Sequence, residues 1–112
     1  MTVSIRFPRA AEMFSALPPS THVDALSLTA GAAETFTVPS GALFVVFSAT
    51  GNFYAKYGGT ATVPGDTSDG SASELNPTIR KLVDASGSAI TSISVIAPAD
   101  AVVTAAYYLA HG

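Results

Sequence analysis

From Leu26 onward, apolar and polar residues along the chain alternate with the period of two expected of half-buried strands. Leu26 and Leu28 alternate with Ser27 and Thr29, and Gly31 turns the chain. Phe36 and Val38 share one face of a strand over residues 35–38, which Pro39-Ser40-Gly41 ends. Residues 43–47 are an unbroken apolar, β-forming run, which predicts a strand covered on both faces. Thr50-Gly51-Asn52 is a turn, residues 53–57 the next strand, and Gly58-Gly59 its end. A weaker strand over residues 78–83 closes in a turn at residues 84–88. Ile93 and Val95 mark one face of a strand against Ser92 and Ser94. Pro98-Ala99-Asp100 is a corner, and residues 101–109 form the last strand. About seven short strands, with a turn signal roughly every ten residues, predict an all-β fold: an antiparallel β-sandwich of jelly-roll type over residues 26–112.

Residues 1–25 differ from this pattern and read as an N-terminal arm. Ile5 and Phe7 look extended and apolar. Pro8 suits a first helical position, Met13, Phe14 and Leu17 fall on one face at helical spacing, and Pro18-Pro19 is a stop, so the arm is compatible with one short helix over residues 8–17. The arm either packs on its own domain or docks elsewhere. In the second case Ile5, Phe7, Phe14 and Leu17 are the apolar anchors, and Arg6 and Arg9 meet acidic groups of a partner.

Residues 58–77 form a stretch rich in Gly, Ser, Thr and Asp that is too long for a hairpin connection. A short strand is expected over residues 60–63 and an exposed loop over residues 64–76, reaching solvent or a neighbouring subunit. Its carboxylates, Asp66, Asp69 and Glu74, are candidates for pairing with basic groups of a partner. With Gly70 they also invite a calcium reading, but the spacing departs from the EF-hand pattern and a solvated loop is favoured, so no metal is assigned.

Composition sharpens the picture. Charged residues are 12% of the 112, against about a quarter in ordinary domains, while 48% are hydrophobic. So few charges cover the surface of a free monomer poorly, and burial against other chains would account for the deficit. A homodimer or homotrimer is therefore expected. Five Lys and Arg with a net charge of −3 make a poor phosphate-binding stripe, so no nucleic acid is expected. No apolar run reaches the ~18 residues of a membrane span, and residues 1–17 contain no signal-peptide core. There is no cysteine, hence no disulfide and no thiolate metal site.

Catalytic patterns are equally sparse. His22 and His111 lie near the two ends without a nucleophile motif, and no pair of acids stands out for glycoside chemistry. Two such histidines cannot supply the clustered set of a cupin metal site. Neither an enzyme nor a cofactor is expected. The adjacent aromatics Phe53-Tyr54 and Tyr107-Tyr108 must each place one ring in the core and one outside, where a tyrosine suits a protein interface or a sugar platform.

Four stretches carry a family resemblance: Val38-Pro39-Ser40-Gly41-Ala42, residues 47–60 (FSATGNFYAKYGGT), Ser73-Glu74-Leu75-Asn76-Pro77 and residues 93–98 (ISVIAP). Together they resemble small virion proteins of tailed bacteriophages, namely jelly-roll decoration, cement and staple proteins. The likeness is one of pattern and composition over residues 35–108, and it leaves out the arm. It implies a capsid decoration protein that binds the major capsid protein and copies of itself. Its place would be the capsid exterior of the virion, after assembly in the host cytoplasm. The alternatives are a phage tail, fibre or receptor (glycan)-binding module, and a carbohydrate-binding module of a non-viral protein.

Overall fold

The computed structural model describes residues 19–109, and among these there are eight strands and no helix. The strands are β1 (His22–Leu28), β2 (Glu34–Thr37), β3 (Ala42–Ala49), β4 (Tyr54–Tyr57), β5 (Glu74–Leu75), β6 (Ile79–Lys81), β7 (Ser92–Ile96) and β8 (Ala101–Leu109). They form two four-stranded antiparallel sheets, ordered β1-β8-β3-β6 and β2-β7-β4-β5. The first sheet contributes Val45, Phe47, Val103, Ala105 and Tyr107 to the core, and the second contributes Phe36, Ala55, Ile93 and Val95. The described residues thus form an all-β sandwich. The helix expected over residues 8–17 lies outside the described residues.

Strand alternation explains most of the burial. Along β8 the odd-numbered residues Ala101 to Tyr107 are buried, and the intervening Val102, Thr104, Ala106 and Tyr108 are not. In β3, Val45 and Phe47 are buried while Phe44 and Val46 are half-exposed. The expectation that residues 43–47 are covered on both faces is therefore corrected. No second layer of described residues lies over that side of the sheet, and Leu43 is turned off the core by a register irregularity between Ala42 and Phe44, leaving it 54% exposed.

Two boundaries also differ from the sequence reading. β1 starts at His22, inside the segment read as arm, because the alternation of Leu26 and Leu28 extends back through Asp24 and His22. The Ser20 hydroxyl donates to the Tyr107 carbonyl and accepts the His22 N–H at 3.2 Å, which ties the start of the strand to β8. Residues 60–63 form no strand; the short strand of this region is β5, paired to β4 through Tyr54↔Leu75 and Ala55↔Glu74. Asn76, just after it, has φ 48°. Its N–H donates to the Phe53 carbonyl at 2.9 Å and its Oδ1 accepts the Phe53 N–H at 3.0 Å, a local arrangement that asparagine tolerates in the left-handed region. At the β2–β3 corner Gly41 takes φ 84°, which a side chain would strain.

Candidate functional site

The two outer faces of the sandwich are covered very differently. Over the β2-β7-β4-β5 sheet the stretch after β4 folds back on its own chain. The Ala61 N–H donates to Ser94 Oγ on β7 at 2.8 Å, and the Thr62 N–H donates to Ser73 Oγ at 3.1 Å. Lys56 Nζ donates to the Ser71 carbonyl at 2.7 Å. Ala61, Ser73 and Ser94 are all buried. Within the expected exposed loop over residues 64–76, residues 65–72 are exposed, whereas Ser73 is buried and Glu74 and Leu75 form β5; the base of the stretch is a lid on its own sheet, held by two serine hydroxyls.

The β1-β8-β3-β6 sheet has no such lid among the described residues. Its pairing aligns Val23, Ala106, Val46 and Ile79 in one row across all four strands. The next row holds Tyr108, Phe44 and Lys81, and the row on the other side holds Ala25, Thr104 and Ser48. Val102 stands beyond, opposite Ser27. Val23 is 55% and Val102 39% exposed. Phe44 and Tyr108 stack with centroids 4.7 Å apart and planes 6° apart. Lys81 is the one charged side chain on this face among the described residues. Three strands of seven to nine residues and the three-residue β6, at ~3.4 Å per residue and ~4.8 Å apart, give a face of roughly 450 Å². That is the scale of the largest apolar patch on a typical monomer, a patch that is often functional. Runs read singly did not reveal this surface, because it arises from the order of strands far apart in sequence.

The loop carboxylates part company. Glu74 lies on β5 and binds within its own chain. Arg80 on β6 donates to it from Nε at 3.1 and 3.2 Å and also from Nη2, and the Tyr57 hydroxyl donates at 3.0 Å. Since β5 and β6 are edges of different sheets, this cluster clasps the open side of the sandwich. The Arg80 hydrogen bonds hold the Glu74 carboxyl below the usual range, and burial, followed by the Glu74 charge, pushes the Tyr57 phenol upward. Asp69 accepts from the Ser71 N–H at 3.0 Å and the Ser71 hydroxyl at 2.6 Å, and that hydroxyl chiefly lowers its pKa. Asp66 is simply exposed. The three acids do not converge, and no group of three metal-binding side chains occurs among the described residues. Ile5, Arg6, Phe7, Arg9, Phe14 and Leu17, the anchors and cations of the arm, lie outside the described residues, as does His111.

Two smaller features complete the chemistry. Strand alternation puts Ser20, His22 and Asp24 on one side of the chain, a juxtaposition the sequence reading overlooked. His22 Nε2 meets Asp24 Oδ2 at 3.3 Å, and its ring lies edge-on to Tyr107 at 5.5 Å. The Ser20 hydroxyl, however, bonds main-chain atoms, so the trio is not wired as nucleophile, base and orienting acid. At the β3–β4 turn an open cleft of about 360 Å³ is lined by Ser48, Thr50, Asn52, Asn76 and Thr78 around Phe47 and Phe53. Asn76 Nδ2 donates to Asn52 Oδ1 at 3.0 Å within it. The lining carries no charge, so it suits only a neutral polar ligand. The adjacent aromatics divide as alternation requires: Phe53 and Tyr107 are buried, Tyr54 and Tyr108 half-exposed.

No protein-family model, no curated protein and no solved structure matches the chain.

Proposed function

We propose that this chain is a non-catalytic attachment module, a bacteriophage capsid decoration or cement protein that binds the major capsid protein and stabilises the shell from its exterior. The observation that carries the reading is the outer face of the β1-β8-β3-β6 sheet, which has no lid among the described residues and is largely apolar, with Lys81 its one charge and Ser27, Ser48 and Thr104 its polar positions, while the opposite face has its own lid. A sheet face of this composition gains by being covered, at roughly 25 cal/mol per Å² of apolar area. One copy attaches weakly through so small a patch, but many copies on a repeating lattice reinforce one another by avidity.

The fold is proposed to be a jelly roll. The antiparallel pairs β1·β8, β2·β7, β3·β6 and β4·β5 support this. They are the pairs made when one long ribbon of strands 1–4 against strands 8–5 wraps into two sheets, an architecture shared by viral capsid and lectin domains.

The test is co-sedimentation of the purified chain with empty shells assembled from the major capsid protein of the phage that encodes it. Saturable binding that raises the temperature of shell disruption is expected; no binding at any concentration would end the reading. The uncharged cleft at the β3–β4 turn favours one second reading, a glycan-binding module of a tail or fibre. Saccharide-induced NMR shifts at the Asn52 and Asn76 side-chain amides, without shell binding, would select it.

A further inference from the structure

Four strands form the sheet edges among the described residues, and three of them are poor sites for another strand. β5 has two residues and β6 three, the latter carrying Arg80 and Lys81. β2 has four and begins with Glu34. Short, charged edges are how sheets avoid pairing with one another. β1 lacks these protections: it is seven residues long, with no proline, lysine or arginine. Its charged carboxylate, Asp24, is engaged with His22 on the core-facing side.

The main-chain groups that β1 leaves open can be identified. The Val102 N–H donates to Thr50 Oγ1 at 2.9 Å and its carbonyl accepts the Thr50 N–H at 3.0 Å, so Val102 faces β3. The Tyr107 carbonyl accepts from Ser20 on the opposite, β1 side. Main-chain direction alternates along a strand, so Ala101, Val103, Ala105 and Tyr107 face β1, where their partners are Leu28, Leu26, Asp24 and His22. Val23, Ala25 and Ser27 therefore turn their N–H and carbonyl groups to the open edge, and all three are exposed.

We propose that two copies of this chain join antiparallel through β1 about a two-fold axis at Ala25. This register pairs Val23 with Ser27 of the other copy on both sides of an Ala25–Ala25 pair, so every outward group is used. It sets Asp24 opposite Leu26 of the other copy, so like charges do not face each other. The two β1-β8-β3-β6 sheets become one continuous sheet, and their apolar outer faces merge. What the doubled face then contacts rests on the attachment reading above. A strand ~24 Å long on a sheet edge ~10 Å thick contributes roughly 500 Å² from both copies. That is well below the ~1,200 Å² of a stable complex. The dimer in solution is consequently weak and becomes substantial only when both copies are attached.

The chain has no cysteine, so single cysteines report the register cleanly. Across the axis the residue-25 Cα atoms sit ~5.5 Å apart, as in a hydrogen-bonded antiparallel pair. That lies within the ~4.4–6.8 Å range of disulfides. Two copies of residue 27 are about 13 Å or more apart. Full-length Ala25→Cys is expected to form a disulfide dimer under mild oxidation at least tenfold faster than Ser27→Cys; equal rates would overturn the register and the proposal. In sedimentation up to about 1 mM, the original chain is expected to self-associate and Ala25→Pro to remain monomeric. That proline removes only an N–H that faces the open edge, where proline is tolerated. If Ala25→Pro fails to fold, Ala25→Lys, which sets two ammonium groups together at the axis, replaces it. A folded variant that still dimerises overturns the proposal. So does protection of the Val23, Ala25 and Ser27 amides from hydrogen exchange that is independent of concentration, which would put the chain's own segment on this edge. A monomeric original chain that binds shells sinks the dimer and spares the attachment reading; a β1 dimer that binds no shells does the reverse.

Discussion

Phe44 on β3 and Tyr108 on β8 are directly paired across strands, and their rings stack in parallel on the side of the sheet that faces away from the core. A cross-strand aromatic pair of this kind contributes about 0.5–1.5 kcal/mol to the sheet. Since Phe44 is only half-buried, Phe44→Ser should lower unfolding stability by no more than about 1.5 kcal/mol. Its effect on shell attachment should be larger, at least a tenfold loss of affinity, because the Phe44–Tyr108 stack supplies the aromatic area of the face to be covered. Urea denaturation and co-sedimentation on the same preparation separate the two. A loss above ~3 kcal/mol would instead mark Phe44 as part of the core.

Glu74→Gln should weaken the sandwich through loss of the clasp between its two sheet edges. The pair with Arg80 is about 40% exposed on both sides, so solvent screening limits the cost to roughly 1 kcal/mol. Because Arg80 lowers the folded-state pKa of Glu74, this contribution is fully present above the ordinary carboxylate value near 4.5 and is lost as pH falls through the depressed value. Urea midpoints of the original chain and Glu74→Gln should therefore differ at pH 7 and draw together as pH falls below the ordinary carboxylate value. Asp66→Ala should leave the pH 7 midpoint unchanged, which would separate two acids that look alike in the sequence.

That separation shows what the sequence could and could not reveal. The period-two patterns around Phe36, Ile93 and residues 101–109 disclosed the strands, because alternation is a local consequence of one buried face. Which side of β3 stays open was not local: Val45 and Val46 are the same residue type, and only the partners Tyr107 and Ala106 tell them apart. Glu74 read as a loop acid because Gly, Ser and Asp surround it, and its partner Arg80 sits on another sheet. The bond from Ala61 to Ser94 spans 33 residues and follows no composition rule.

Tyr107→Phe should make the protein more stable. The phenol is fully buried, and its oxygen has no hydrogen-bond partner among the described residues, so the chain bears the desolvation of an unmatched polar group. Removing it should gain about 1 kcal/mol, read as a higher urea midpoint at pH 7. Burial, and secondarily the Asp24 charge, pushes this phenol up to about 12. The neutral form is thus favoured in the folded state, and stability falls as pH rises from the ordinary value near 10 toward 12. The advantage of Tyr107→Phe over the original chain should widen across that interval. An unchanged difference between pH 9 and pH 11 would show that Tyr107 does not titrate with folding.

Ser94→Ala tests whether the lid over β7 is held as its hydrogen bonds indicate. Ser94 is buried, and its hydroxyl oxygen accepts the N–H of Ala61, itself buried. An alanine leaves that N–H without a partner in a place water does not reach, which costs about 1–3 kcal/mol. The chain can escape part of this cost by letting the lid open, since the lid adds no strand to either sheet. Hydrogen exchange should then accelerate at Ala61 and Thr62 by more than tenfold, with little change at the Ile93 and Val95 amides. If Ala61 exchanges no faster, the lid is held by the Thr62–Ser73 and Lys56–Ser71 bonds instead, and Ser73→Ala becomes the variant that opens it.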